Sequence, residues 1–194
     1  MVSVMVVSAL IIASPGIGFG VGEELGEYLL APSLFTVRIP IGESFVIAPD
    51  IDLGYYHQEG DGDSAMSYVL NLGVGCHLHR VLWKRERTGL HGIIGPRFEM
   101  SKGSDEYYVS SPDTLYHLKW TTDSHTYSFA YGLGMEQFLR DNLSLWIGSL
   151  SFITVKGRRT ELEEDGETTY LYDRSSYSLG FDNMQAYVYL IWYF

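Results

Sequence analysis

Apolar and polar residues alternate along most of this chain with a period of two. In residues 45–55, Phe45, Ile47, Pro49, Ile51, Leu53 and Tyr55 fall on one face, with Val46, Ala48, Asp50, Asp52 and Gly54 on the other. Successive side chains of a strand point to opposite faces, so this pattern predicts a strand with one long apolar face. Residues 28–41 follow suit: Leu29, Ala31, Phe35, Val37, Ile39 and Ile41 share a face, and Thr36 and Arg38 lie opposite. Gly42, Glu43 and Ser44 supply a short hairpin between the two. Residues 67–79 set Tyr68, Leu70, Leu72, Val74, Cys76 and Leu78 against Asn71, Gly73, Gly75, His77 and His79. Residues 90–101 send Ile94, Pro96, Phe98 and Met100 one way, and Arg97 and Glu99 the other. Residues 126–138 oppose Tyr127, Phe129, Tyr131, Leu133 and Met135 to Ser128, Gly132, Gly134 and Glu136. A strand over 143–155 has no clear facing. A Gly-rich strand over 17–22 and a terminal strand over 183–194 bring the number to eight.

These apolar faces are too long and continuous for a sandwich in water. About ten residues at a tilt is what a strand needs to cross a bilayer. Connections also alternate in length. Short ones fall at 42–44, 81–88 and 140–142; longer polar ones fall at 57–65, 102–123 and 158–182, although the first of that side, near 23–27, is short. Short turns on one side and long loops on the other are the outer-membrane arrangement. The expected fold is therefore all-β: an eight-stranded antiparallel up-and-down transmembrane barrel forming one domain over residues 17–194. The alternative is a soluble lipocalin-like barrel, which would turn the same apolar faces inward. With lipid outside, Arg38, Asp50, Asp52, Arg97, Glu99 and Glu136 all point into the lumen. A charge out of bulk water needs a partner. Arg38 is expected to meet Asp50 or Asp52, and Arg97 to meet Glu99 or Glu136.

Composition agrees with a closed sheet: 15 Tyr and 21 Gly in 194 residues, with mean hydropathy of zero. The net charge of −11 removes the basic footprint that a nucleic-acid partner would need. Acids gather at 59–63, 105–106 and 161–167, all read as loops. Cys76 is the single cysteine, so no internal disulfide forms. Residues 1–16 open with an apolar run too short to span a bilayer as a helix. They read as a signal peptide or its remnant without the usual positive start, and otherwise as a buried first strand.

Three segments resemble the small outer-membrane β-barrels related to OmpA and the opacity proteins. They are the opening run from Gly18 to Gly22, the limb from Phe45 to Tyr55 with its apolar-x-Pro pattern, and the end from Tyr187 to Phe194. In that last run Val188, Leu190, Trp192 and Phe194 resemble the signal that such proteins present to the assembly machinery, although its other face is apolar too. The resemblance covers residues 17–194. It implies a place in the bacterial outer membrane, contact with lipid and lipopolysaccharide, and passage by way of periplasmic chaperones and the barrel-assembly machinery. It also allows an extracellular ligand through the loops at 102–123 and 158–182.

Candidate chemistry is thin. His125, Ser128 and Glu136 are the types a lipid A acyl hydrolase would need, but His and Ser three apart on a strand point to opposite faces. His77 and His79 share a face as metal ligands can, yet no third ligand is tied to them, and they read as a wet rim beside Arg80, Lys84, Arg85 and Arg87. Glu59, Asp61 and Asp63 alternate as hard cations like, but without the closing Glu of an EF-hand. The expected protein is non-enzymatic, with no metal and no cofactor. Its lumen is plugged by paired charges, since side chains fill an eight-stranded barrel. A passive channel or small-molecule carrier is the alternative.

Overall fold

The computed structural model describes residues 15–21, 34–59, 66–111, 114–164 and 167–194. Eight strands form a closed antiparallel barrel, each paired with its sequence neighbours and the first with the last. They are β1 (Gly16–Val21), β2 (Leu34–Ile41), β3 (Phe45–Glu59), β4 (Met66–Arg85), β5 (Thr88–Ser111), β6 (Thr114–Arg140), β7 (Leu143–Glu164) and β8 (Glu167–Tyr193). Closure rests on β1, whose Gly16 faces Tyr193 and whose Val21 faces Val188. The leader expected over 1–16 lies largely outside the described residues, but its last residue, Gly16, belongs to the barrel wall.

The apolar faces point outward. On β6, Tyr127, Phe129, Leu133 and Met135 are 46–61% exposed, and on β3 Ile51 and Leu53 are exposed too, while Asp50 is 3% exposed. A soluble lipocalin-like barrel would show the reverse. Cys76 also faces out. Exposed Trp83, Trp192 and Phe194 lie near the short-turn end of the band. Tyr55 and Tyr127 lie toward the other end. Aromatics at both limits are the interfacial girdles of such barrels. Outward-facing Lys102 and Asp123, 3.9 Å apart, mark where the apolar band stops.

The 42–44 turn is as expected, the connections at 81–88 and 140–142 are tighter, and those expected at 102–123 and 158–182 are far shorter. The 81–88 turn is only Glu86 and Arg87, because β4 runs on to pair Arg85 with Thr88. Glu86 adopts φ of 50°, where an L side chain is disfavoured. Replacing Glu86 with glycine is therefore expected to stabilise the folded barrel by up to about 1 kcal/mol. The readout is the heat-modifiable gel transition in detergent; an unchanged or lower midpoint counts against strain at this turn.

On the other side, 102–123 and 158–182 are not loops. β5 and β6 stay paired as far as Ser111 and Thr114, and β7 and β8 as far as Glu164 and Glu167. The acids at 105–106 and most of those at 161–167 thus lie on strands. Segment 23–27 lies outside the described residues, as do Asp61 and Asp63 of the acidic run at 59–63, whereas Glu59 ends β3.

Candidate functional site: the lumen

The lumen is built from inward positions whose neighbours on adjacent strands are often glycine. Asp50 on β3 stands opposite Gly75 on β4, which stands opposite Arg97 on β5. In the next row, Asp52, Gly73 and Glu99 line up in the same way. A Cβ on Gly75 would lie 2.6 Å from Asp50 Oδ2, and one on Gly73 would lie 2.6 Å from Arg97 Nη2. The two glycines therefore leave a trough through which side chains two strands apart can meet.

Arg97 fills it. Nη1 donates to Asp50 at 2.6 Å, Nε to Glu99 at 2.7 Å and Nη2 to Asp52 at 3.1 Å. The other Asp50 oxygen lies 2.8 Å from His77 Nδ1. Asp50 and Arg97 are buried, whereas Asp52 and Glu99 side chains keep 36% and 39% exposure. Asp52 is thus half-buried at the upper rim of the cluster, not fully enclosed as Asp50 is.

Arg38 does not meet Asp50 or Asp52. Thr36 and Leu34 stand opposite those two acids on the adjacent strand. Arg38, two positions nearer the short-turn end, reaches across the lumen to Glu136 at 3.5 Å and to His79 Nδ1 at 3.4 Å. Glu136 accepts from Ser144 at 2.6 Å and from the Tyr193 hydroxyl, and His91 Nε2 lies 3.6 Å from it. The six charges expected inside form two clusters: Arg97 with Asp50, Asp52 and Glu99, and Arg38 with Glu136.

Between the clusters sits an apolar and aromatic layer. Trp146 on β7 is 2% exposed and lies beside His79 and Tyr189, at ring centroid distances of 5.6 and 5.5 Å. It lies over Gly134 and Gly148: a Cβ at those positions would be 2.3 and 1.9 Å from its ring. Ile93 and Leu150 belong to the same buried cluster. β7 thus has its facing settled, with Ser144, Trp146 and Leu150 inward and Ile147 outward.

Several lumen residues were absent from the expected set. His77 and His79, read as a wet rim, are 6% and 4% exposed inside the barrel. Their two-residue spacing already put them on the inward face with Gly73 and Gly75, and that was the available signal. His91 carries the same parity signal on β5. On β8, Val188, Leu190, Trp192 and Phe194 face outward, with Phe194 71% exposed. Tyr187, Tyr189, Ile191 and Tyr193 are buried, so the apolar second face of this strand is lumen filling. His125 is exposed outside, Ser128 faces in, and Glu136 lies eight residues further along β6, roughly 27 Å at the rise of a strand. The three do not form a site. No cluster of three metal-ligating side chains occurs among the described residues.

Beyond the band, β5–β8 continue as a sheet. Along one row, Trp120, Leu162 and Tyr170 stand opposite one another on β6, β7 and β8, with the Trp120 and Tyr170 rings 6.5 Å apart. Tyr107, Trp120, Tyr170 and Tyr172 are all exposed. Nearby, Glu106 lies 3.1 Å from Lys119 and 3.6 Å from His117. The hydrogen bond from Lys119 holds the Glu106 carboxyl below its ordinary range, and the same bond raises the Lys119 ammonium.

No protein-family model and no curated protein matches this sequence. Solved structures do. A major outer membrane protein from Thermus thermophilus superposes with a TM-score of 0.55 at 11% identity, over 93% of this chain and 99% of that one. Acinetobacter baumannii CarO superposes with a TM-score of 0.50 at 10% identity, over 96% and 99% of the two chains. With strand order, closure, an outward apolar band and these two likenesses agreeing, the chain has the fold of the small bacterial outer-membrane β-barrels.

Proposed function

We propose that this protein is a non-enzymatic barrel of the bacterial outer membrane, with a structural or surface-interaction role and a lumen closed to solutes by its own side chains. The observation that carries this reading is the filled interior. Arg97 with three carboxylates, Trp146 with its aromatic neighbours, and Arg38 with Glu136 occupy successive levels of the same bore. The test is electrical. Purified barrel in a planar lipid bilayer is expected to leave the membrane silent, and discrete conductance steps would sink the closed-lumen reading in favour of a passive channel.

The surface role rests on length. β5, β6, β7 and β8 hold 24, 27, 22 and 27 residues, against about ten needed to cross a bilayer. Lipid and the lipid part of lipopolysaccharide surround the band, and the projecting sheet, with its Tyr residues and acids, meets any extracellular ligand.

Biogenesis by periplasmic chaperones and the barrel-assembly machinery makes Phe194 the residue to test. Its side chain is exposed, and its backbone N–H donates to Pro15. Deleting it is expected to lower membrane yield in cells strongly. Stability after refolding in detergent should fall by less than the roughly 1.5–3 kcal/mol of a fully buried aromatic. Equal membrane yields for full-length and truncated chains would leave Phe194 a girdle residue alone.

A further inference from the structure

The upper part of the barrel carries three cations that neither lumen cluster uses. β7 and β8 stay paired beyond the membrane band, and their even-numbered residues there continue the inward face of Trp146, Leu150 and Phe152. On that face Arg158 stands directly opposite Arg174, and Lys156, one row below, stands opposite Ser176. On β6 the same two rows hold Ser124 and Thr126. Like charges directly opposite one another destabilise a sheet. All three cations are exposed, and none has an acidic partner among the described residues. Asp52 and Glu99 share the row of Lys156, on β3 and β5, but both are turned to Arg97, at 3.1 and 2.7 Å.

The outer face of the same two strands is arranged differently. There Arg159 pairs with Glu161 and stands opposite Asp173. The chain holds 24 acids against 13 Lys and Arg, so an acid is the common neighbour and three cations without one are the exception. Aromatic rings lie above these cations on the inward face. Tyr172 is two residues from Arg174 on β8, and Tyr170 and Trp120 follow in the next row, with rings 6.5 Å apart. Each such step along a strand is roughly 7 Å. All three rings are exposed.

We propose that this inward face binds a phosphate monoester carried on a planar ring, the chemistry of a nucleotide. The guanidinium groups of Arg158 and Arg174 match phosphate in bidentate fashion, and the Lys156 ammonium adds charge from the row below. The ring lies on Tyr172, with Tyr170 and Trp120 beyond it. The face looks toward the bore, away from lipid. Short turns of outer-membrane barrels face the periplasm, so the ligand arrives from outside the cell. The proposal rests on the surface-interaction role given above. Conductance tests the closed lumen and calorimetry tests this site, so either can fail alone.

The test uses the whole barrel in phosphatidylcholine nanodiscs, followed by calorimetry against empty discs. AMP is expected to bind, inorganic phosphate to bind about tenfold more weakly, and adenosine not to bind. The double variant Arg158→Gln/Arg174→Gln is expected to weaken AMP roughly tenfold or more and to lessen the salt dependence of what remains. It removes two opposed like charges, so it should keep the heat-modifiable fold, and lost binding would not be lost structure. Tyr172→Ala should weaken AMP about tenfold, as loss of a stacking aromatic does, and leave inorganic phosphate unchanged. AMP bound no more tightly than adenosine would reduce the face to an aromatic platform, and AMP bound no more tightly than phosphate would leave a bare anion site; either overturns the proposal. So would AMP affinity unchanged in the arginine double variant, or no binding at all, the latter leaving a solvated basic patch.

Discussion

Replacing Arg97 with alanine is expected to cost the folded barrel about 3–5 kcal/mol, because it strands Asp50 as an uncompensated buried charge. The Asp50 side chain is 2% exposed and has two anchors, Arg97 on one oxygen and His77 on the other. Asp52 and Glu99 are more than a third exposed, so water replaces what they lose. The loss should therefore trace to one acid. Arg97→Ala combined with Asp50→Asn should recover much of it, a coupling that contacting residues show and distant ones do not. Glu99→Gln alone should cost less than about 1 kcal/mol, as partly exposed pairs do. Thermal unfolding in detergent, followed by gel migration, reads all three. An Arg97→Ala barrel that melts with the wild type would show that the upper cluster does not hold the barrel together.

Truncating Trp146 to alanine is expected to cost a similar amount, about 3–5 kcal/mol, for a different reason. Its ring is buried over two glycines that present no side chain to collapse into the gap. The cavity left behind would adjoin the space already lined by His77, His79, Ile93 and Leu150. The converse change, Gly148→Val, should also destabilise, by about 1–3 kcal/mol from overpacking, since a Cβ there meets the indole at 1.9 Å. Both variants should stay electrically silent, because the Arg38–Glu136 level lies nearer the short-turn end and remains in place. If Trp146→Ala unfolds at the wild-type temperature, the middle layer is packing without consequence for stability.

Strand identity and facing were legible in the sequence because both are local. The pleat of a strand forces period two, and a bilayer outside demands that one parity be apolar over about ten residues. That rule alone placed Arg38, Asp50, Arg97 and Glu136 in the lumen. It failed on β7, where Leu145, Ile147 and Ile153 alternate with equally large Trp146, Leu150 and Phe152, so neither parity is marked as wet. It also lost the upper halves of β5–β8. There both faces meet water, the apolar period disappears, and only backbone pairing maintains the strand.

Apart from Arg97 and Glu99, which sit two apart on one strand face and meet as expected, tertiary structure decided who meets whom inside. Arg97 reaches Asp50 because Gly75 lies between them, and Arg38 reaches Glu136 because the barrel closes β2 and β6 around one bore. His77 and His79 are buried because β4 continues six residues past His79 before turning, which lifts them off the rim. Each of these depends on register summed over several strands and on ring closure. No stretch of sequence carries that sum, so the pattern of the chain determined which residues face the lumen, and the closed barrel determined their partners.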